Sequence, residues 1–248
     1  RALAERRVRY VSLRGKAAIV GIGELPTQRQ YPGRSAFSLC AGAAKLAIAD
    51  AGLKKSDIDG LITSGEDWNP LELAEYLGLQ PSYIEGTTLM GASGAHSIVL
   101  AAMAIEAGLV NNILCAFGGG RDPSIGGTRR AKPEVSKQSE WENPFGPVVA
   151  ANGGYALVKM RHMHEFGSTD AQFAKIAADQ RFNALTNENA VFKGKPITVQ
   201  DVLDSPMVAD PLHMLECVMG CAGAFACVVT SADRAKSLPH PPAYVLGA

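Results

Sequence analysis

The stretch that most constrains this chain is TTLMGASGAHSIVLAAMAIEAG, from Thr87 to Gly108. It reads as the end of a strand, a tight turn through glycine, and a long helix. From Ala92 to Ala107 that helix carries Ala, Ile, Val, Leu and Met around nearly its whole circumference. A helix without a polar face cannot rest on a surface, so the pattern predicts one that runs through the middle of a domain. Its opening residues, Gly91, Ala92, Ser93 and Gly94, are all small. They would let a ligand approach a helix N-terminus, where unpaired N–H groups and the positive end of the dipole favour an anion or a polarised carbonyl. Close packing of the helix is the competing account of the same four residues.

The segments around it alternate strand and helix. KAAIVGIG (Lys16 to Gly23) is an apolar strand, Ser35 to Asp50 has a helical period, and IDGLITS (Ile58 to Ser64) is a second strand. Leu71 to Gly78 is a short helix after Asn69 and Pro70, with Gly78 as its stop. Tyr83 to Leu89 and Asn111 to Phe117 complete a run that predicts an α/β fold of about five strands, a mixed sheet covered by helices. Ligands in such folds sit beyond the carboxyl ends of the strands, where Met90 to Gly94 and Gly118 to Arg121 are expected to meet.

Several function classes are set aside by what the chain lacks. With 24 basic and 24 acidic residues in 248, the formal charge is zero, so neither nucleic acid nor an anionic membrane is an expected partner. The longest apolar run, Ile98 to Ile105, ends at Glu106 and follows His96 and Ser97, which marks a core helix and no membrane span. Five cysteines in apolar segments, with no secretory leader ahead of them, lead to the expectation of reduced thiols in a cytoplasmic protein. CVMGC, Cys217 to Cys221, has one residue too many for a CxxC pair, and no His or Cys cluster completes a metal site. The GIG of Gly21 to Gly23 invites a dinucleotide reading, but the third glycine of that fingerprint would fall at Pro26.

Residues 1–14 carry five arginines and one glutamate and read as a basic arm. Residues 121–154, rich in Gly, Pro and charge, form an excursion too long for an ordinary connection. Beyond it, Tyr155 to Phe166 is a helix with Ala156, Met160 and Met163 on one stripe; His162 and His164, two apart, cannot act jointly. A helix capped by Thr169 runs through Ala184, and Ile197 to Asp204 is another with Thr198 as cap. Met207 to His213 is extended, Ala224 to Thr230 is a strand buried throughout, and the chain leaves through a proline-rich segment from Pro239.

These segments together carry a resemblance. MGASGA at Met90, GKAAIVGIG at Gly15, YALVKMRHMHEFG at Tyr155, AKIAADQRFNALTNENA at Ala174, ITVQDVL at Ile197, VADPLHMLEC at Val208 and AFACVVTSADRA at Ala224 resemble the amino-terminal half of thiolase-superfamily proteins. The similarity is to the sterol-carrier-protein thiolase, or lipid-transfer-protein-like, branch and covers residues 15–248 as one domain. Three departures from the family pattern follow. Active thiolases open the central helix with Cys-Ala-Ser-Gly or Cys-Ser-Ser-Gly, whose thiolate attacks an acyl-CoA; here the matching residues are Gly91, Ala92, Ser93 and Gly94, and glycine cannot be acylated. Where relatives have Ser-Asp-Gly, this chain has Cys221, Ala222 and Gly223. The second half, with its Gly-His-Pro-like loop, is not present in these 248 residues.

The resemblance implies a protein that binds a coenzyme A thioester as substrate or ligand, with Gly91, Ala92, Ser93 and Gly94 at its thioester end and no covalently bound cofactor. It does not imply a conventional acetyl-CoA acetyltransferase. Family members without the cysteine include aldolases that cleave β-hydroxyacyl-CoA side chains of steroids, assisted by a partner with a zinc ribbon and an OB-like fold. A retro-aldol step needs a base and an enolate-stabilising site but no acyl-enzyme, so a missing thiol is tolerable. The alternative is a catalytically silent subunit that binds acyl-CoA or scaffolds a complex. A homodimer through the central strand and helix region is the expected assembly. No residue stands out as the base: Tyr76, Tyr83 and Tyr155 have no marking neighbour, and His96 reads as a core histidine.

Overall fold

The computed structural model describes residues 12–64, 69–119 and 150–247. The basic arm up to residue 11 and the excursion from residue 120 to 149 lie outside the described residues. The described chain forms two compact units: residues 12–25, 34–64, 69–119 and 223–247 in the first, and 26–33 with 150–222 in the second.

The first unit is built on a six-stranded mixed sheet, one strand more than the sequence pattern predicts. Its strands are β1 (Ala17–Glu24), β2 (Gly60–Ser64), β3 (Tyr83–Thr87), β4 (Asn112–Gly119), β7 (Gly223–Ser231) and β8 (Ala243–Tyr244), in the order β3-β2-β4-β7-β1-β8. β2 runs parallel to both β3 and β4, while β7 is antiparallel to β4 and β1. The extra strand is β8, two residues in the proline-rich exit that pair with Ala18 and Ile19. Helices α1 (Ala36–Asp50), α2 (Pro70–Leu77) and α3 (Ser93–Glu106) connect the strands.

Local chemistry sets these boundaries. Ser35 caps α1 by accepting the Ser38 N–H, Asn69 Oδ1 accepts the Leu71 N–H with Pro70 in the first turn of α2, and Gly78 closes α2 in the left-handed region. At the opening ends of the strands, the Asp59 carboxylate accepts the N–H groups of Asn111 and Asn112 at 2.7–3.0 Å.

Alternation along β4 separates the faces of the sheet. Ile113, Cys115 and Phe117 pack with Ala101, Ala102 and Ile105 of α3. Gly118 lies on the other face, where a Cβ on it would stand 3.0 Å from Cys40 Sγ of α1. β1 changes face midway: the register against β7 shifts between Ile19 and Gly21, so Ile19 pairs with Val229 and Gly21 with Val228. The bulge aims Gly21 and Gly23 at α1, where added Cβ atoms would lie 2.4 Å from Ala47 O and 2.2 Å from Ala43 O. The GIG sequence is therefore the place where a helix backbone lies directly on a strand, which is why both positions lack a side chain.

Two burial expectations are corrected. α3 is covered on one face only: Ser93, Ser97, Ala101, Ala102, Ala104 and Ile105 are buried, whereas Ile98, Val99 and Leu100 are half-buried and Met103 is 51% exposed. The stripe that meets the sheet carries the smallest side chains, because close approach to strands favours Ser and Ala over Val and Met. β7 is likewise not buried throughout, since Phe225 on the α3 face is 53% exposed.

The second unit contains α4 (Ala150–Phe166), α5 (Asp170–Ala184), α6 (Val199–Asp204) and a short hairpin of β5 (Met207–Ala209) and β6 (Leu212–His213). Thr169 donates its N–H to Gln172 Oε1 at the start of α5, and Thr198 exchanges hydrogen bonds with Asp201 at the start of α6. α4 begins five residues before Tyr155. Its buried stripe is Ala156 and Lys159 rather than Ala156 and Met160, which is half exposed.

Candidate functional site

In the first unit the parallel strands β2, β3 and β4 all end on the side where α3 begins, and β3 leads through Leu89 into a single 3-10 turn, Met90–Ala92, and then into α3. Ala92 is the N-cap residue and no side chain caps this terminus. The Ala92 N–H is taken by Leu89 O at 3.0 Å within the 3-10 turn, and no described side chain offsets the positive end of the helix dipole.

The four predicted residues are placed differently from one another. Gly91 and Ala92 are exposed, Gly94 is half-buried and Ser93 is buried. Ser93 Oγ accepts the Leu89 N–H at 2.8 Å and turns inward, so its hydroxyl holds the turn together and does not face the mouth. Among the described residues, a Cβ at Gly91 would meet nothing within 4 Å, and one at Gly94 would reach only Phe225, at 4.0 Å. No described residue therefore crowds the place where a side chain at position 91 would stand.

Apolar surface borders this opening. Leu89 is 50% exposed, and the Phe225 ring stacks on Phe117 with centroids 5.0 Å apart. At the end of β4, Gly119 also faces open space. Arg121, expected in this neighbourhood, lies outside the described residues. His96, one turn into α3, is half-buried and not the enclosed core histidine that its apolar neighbours predict.

Neither Cys40 nor Cys115 offers a thiolate in place of the missing nucleophile. Cys40 is fully buried, and burial pushes its thiol up to about 12. Cys115 is also fully buried; its hydrogen bond with Cys227, directly opposite on β7, and then its burial hold that thiol well above the ordinary range. Both stay protonated at neutral pH and so lack the thiolate that attack requires. Cys221 belongs to the second unit, where its Sγ donates to Met219 O.

Sequence reasoning missed a buried ion cluster in the second unit. Lys159 Nζ donates to Glu216 Oε1 and Oε2 at 2.9 and 3.0 Å and to Pro211 O at 2.7 Å, and lies 2.9 Å from Asp170 Oδ1. The lysine and Glu216 side chains are 4% and 7% exposed. Glu216 also accepts the His213 N–H, so the pair fixes the turn that follows the hairpin. A lysine on the same helical stripe as Ala156 was the available signal.

Comparison with known proteins agrees with this geometry. No family model matches the chain. A steroid side-chain-cleaving aldolase of Thermomonospora curvata is 35% identical over 249 residues, covering 95% of this chain and 62% of that protein. A 17-hydroxy-3-oxo-4-pregnene-20-carboxyl-CoA lyase of Mycobacterium tuberculosis is 32% identical, covering 94% of this chain and 62% of that protein. The solved structure described as "Ltp2-ChsH2(DUF35) aldolase" superposes with a TM-score of 0.85 at 34% identity, over 95% of this chain and 61% of that one. A monomeric SCP2-thiolase like protein of Mycobacterium smegmatis shares the fold, with a TM-score of 0.72 at 21% identity over 93% of this chain and 49% of that one. The chain is similar to proteins of the thiolase superfamily, in particular of the SCP2-thiolase-like branch. It spans about three fifths of the length of the curated relatives named. Within this thiolase-like fold, the start of α3 is the point where a cysteine would identify a thiolase, and Gly91 stands there instead.

Proposed function

We propose that the chain supplies the thioester-binding part of a cysteine-independent C–C lyase, a retro-aldolase acting on a β-hydroxyacyl-CoA. The observation that carries the reading is the start of α3 at Gly91, where no side chain caps the helix and a Cβ would meet nothing within 4 Å among the described residues. In a retro-aldol step a base takes the hydroxyl proton and the bond between the α- and β-carbons breaks. Its electron pair passes toward the thioester as an enolate, and protonation of the α-carbon releases the shorter acyl-CoA. The N–H groups of the first turn of α3 would stabilise the enolate oxygen, and none of this needs an acyl-enzyme. The described residues mark no base, and the reading assigns it elsewhere in the protein.

The apolar side of this unit supports an assembly. Ile22, Leu89, Met103 and Phe225 are each half or more exposed, more apolar surface than solvent contact alone explains. The reading covers it with further thiolase-like structure and a second copy, and adds a zinc-ribbon and OB-like partner of the kind the resemblance implies. The similarity to the solved structure described as "Ltp2-ChsH2(DUF35) aldolase" supports a partner of some kind. A cytoplasmic location accords with this chemistry and with five unpaired cysteines. Among the described residues no helix is long and apolar enough to cross a membrane.

The test is intact-mass analysis of the natural polypeptide with its copurifying partners, followed by assay on a panel of β-hydroxyacyl-CoAs. Release of a ketone or aldehyde together with the shorter acyl-CoA is the expected result. Tight acyl-CoA binding without turnover across the panel would favour the silent subunit instead.

A further inference from the structure

Across the sheet from the start of α3, the first unit holds a cavity of about 400 Å³ that the lyase reading does not use. Its floor includes Leu114, which alternates with Ile113 and Cys115 along β4 and so lies on the α1 face. Ala44 and Ile48 line it from α1, and Tyr76 from α2. The alanine at position 44, one turn before Ile48, leaves room that a larger side chain would fill. Two lysines, Lys45 and Lys55, complete the lining, and among the described residues no Asp or Glu contributes to it. Lys55 Nζ gives one hydrogen bond to Leu77 O at 3.2 Å, which leaves two of its three protons. Lys45 has no hydrogen bond or ion pair among the described residues.

We propose that this cavity binds an amphipathic carboxylate: an aliphatic chain against Ala44, Ile48 and Leu114, with its carboxylate held by Lys45 and Lys55. The volume falls within the range of small-molecule sites, about 300–1,000 Å³. Apolar walls would accept any greasy molecule, but two ammonium groups with no acid beside them select an anion over a neutral or cationic one. Because both lysines are exposed, the attraction is screened by salt. The site is distinct from the thioester opening, since it lies on the opposite face of β4.

The test is isothermal titration calorimetry of the natural polypeptide with decanoate and with decan-1-ol. Lys45→Glu is the informative variant, because Lys45 is exposed and its exchange does not disturb the core. Decanoate should bind the wild type at least 10-fold more tightly than decan-1-ol, and Lys45→Glu should lose at least 10-fold for decanoate with little change for the alcohol. Saturating coenzyme A should leave decanoate binding unchanged. Equal affinity for acid and alcohol, an unaffected Lys45→Glu variant, or no decanoate binding up to its solubility would each overturn the proposal. Displacement of decanoate by coenzyme A would also overturn it, by placing the ligand at the thioester opening.

Discussion

Replacing Gly23 by alanine tests whether the GIG strand is a packing device. A Cβ at this position would stand 2.2 Å from Ala43 O, 2.5 Å from Ala47 N and 2.8 Å from Leu46 Cβ, all on α1. Ordinary contact begins near 3.4 Å, so strand and helix must separate by about 1 Å. A gap of that size forfeits a quarter to a half of each dispersion contact it opens, and overpacking of this kind costs about 1–3 kcal/mol. The alanine recovers under 1 kcal/mol of backbone entropy from the unfolded chain. A net loss of about 2 kcal/mol corresponds to a midpoint lowered by about 4–8 °C in a chain of this size. The assay is thermal unfolding of the natural polypeptide followed by circular dichroism, with Gly119→Ala as control because a Cβ there meets nothing within 4 Å. A Gly23→Ala midpoint equal to wild type, or a control shifted as far, would refute the packing account. A wild type stabilised by a dinucleotide would do so too.

Other expected outcomes follow from the buried charges and thiols. Lys159→Met leaves Glu216 buried without its cation and should cost about 3–5 kcal/mol by denaturant unfolding, with part of the loss recovered when Glu216→Gln is added. Under native conditions at pH 7.5, N-ethylmaleimide should leave Cys40 and Cys115 unmodified by mass spectrometry, and label all five cysteines in denaturant. Cys40 rises from 9.0 to about 12 on folding, so the unfolded chain releases that proton first. Stability should fall as pH rises through this window, and less steeply in Cys40→Ala. Gly91→Cys should fold with a midpoint near wild type, because its Cβ has open space. Its thiol, at a helix N-terminus, should react with iodoacetamide at pH 7 faster than a free thiol of ordinary pKa. A rate equal to that of free cysteine would remove the electrostatic basis of the proposed thioester site.

Much of the first unit was legible because its boundaries rest on local chemistry. Ser35, Asn69 with Pro70, and Gly78 each act through their own backbone neighbours, and a reader of the sequence sees those neighbours. What failed depends on partners distant in the chain. Whether Met103 or Ala104 faces the sheet is decided by how closely α3 approaches β4 and β7, and an all-apolar helix hides that choice. The face switch in β1 was invisible for the same reason: the register shift after Ile19 is set by β7, more than 190 residues later. The buried Lys159 was masked by its charge, because its partner Glu216 lies 57 residues away.

At the candidate site the sequence distinguished what could react from what could not, but not which small residues were small for which reason. Gly23 and Gly91 look alike in the sequence, each a glycine preceded by an apolar residue. In the structure Gly23 has a helix backbone within 2.2 Å of where its Cβ would be, and Gly91 has nothing within 4 Å. The first glycine is required by packing, and substituting it tests the fold. No described residue crowds the second, so substituting it tests the proposed function. Under the proposed reading, a chain that lacks this cysteine dispenses with an acyl-enzyme and keeps a helix start suited to polarising a thioester. That combination suits a reaction in which the thioester oxygen takes up charge while its carbonyl carbon is never attacked.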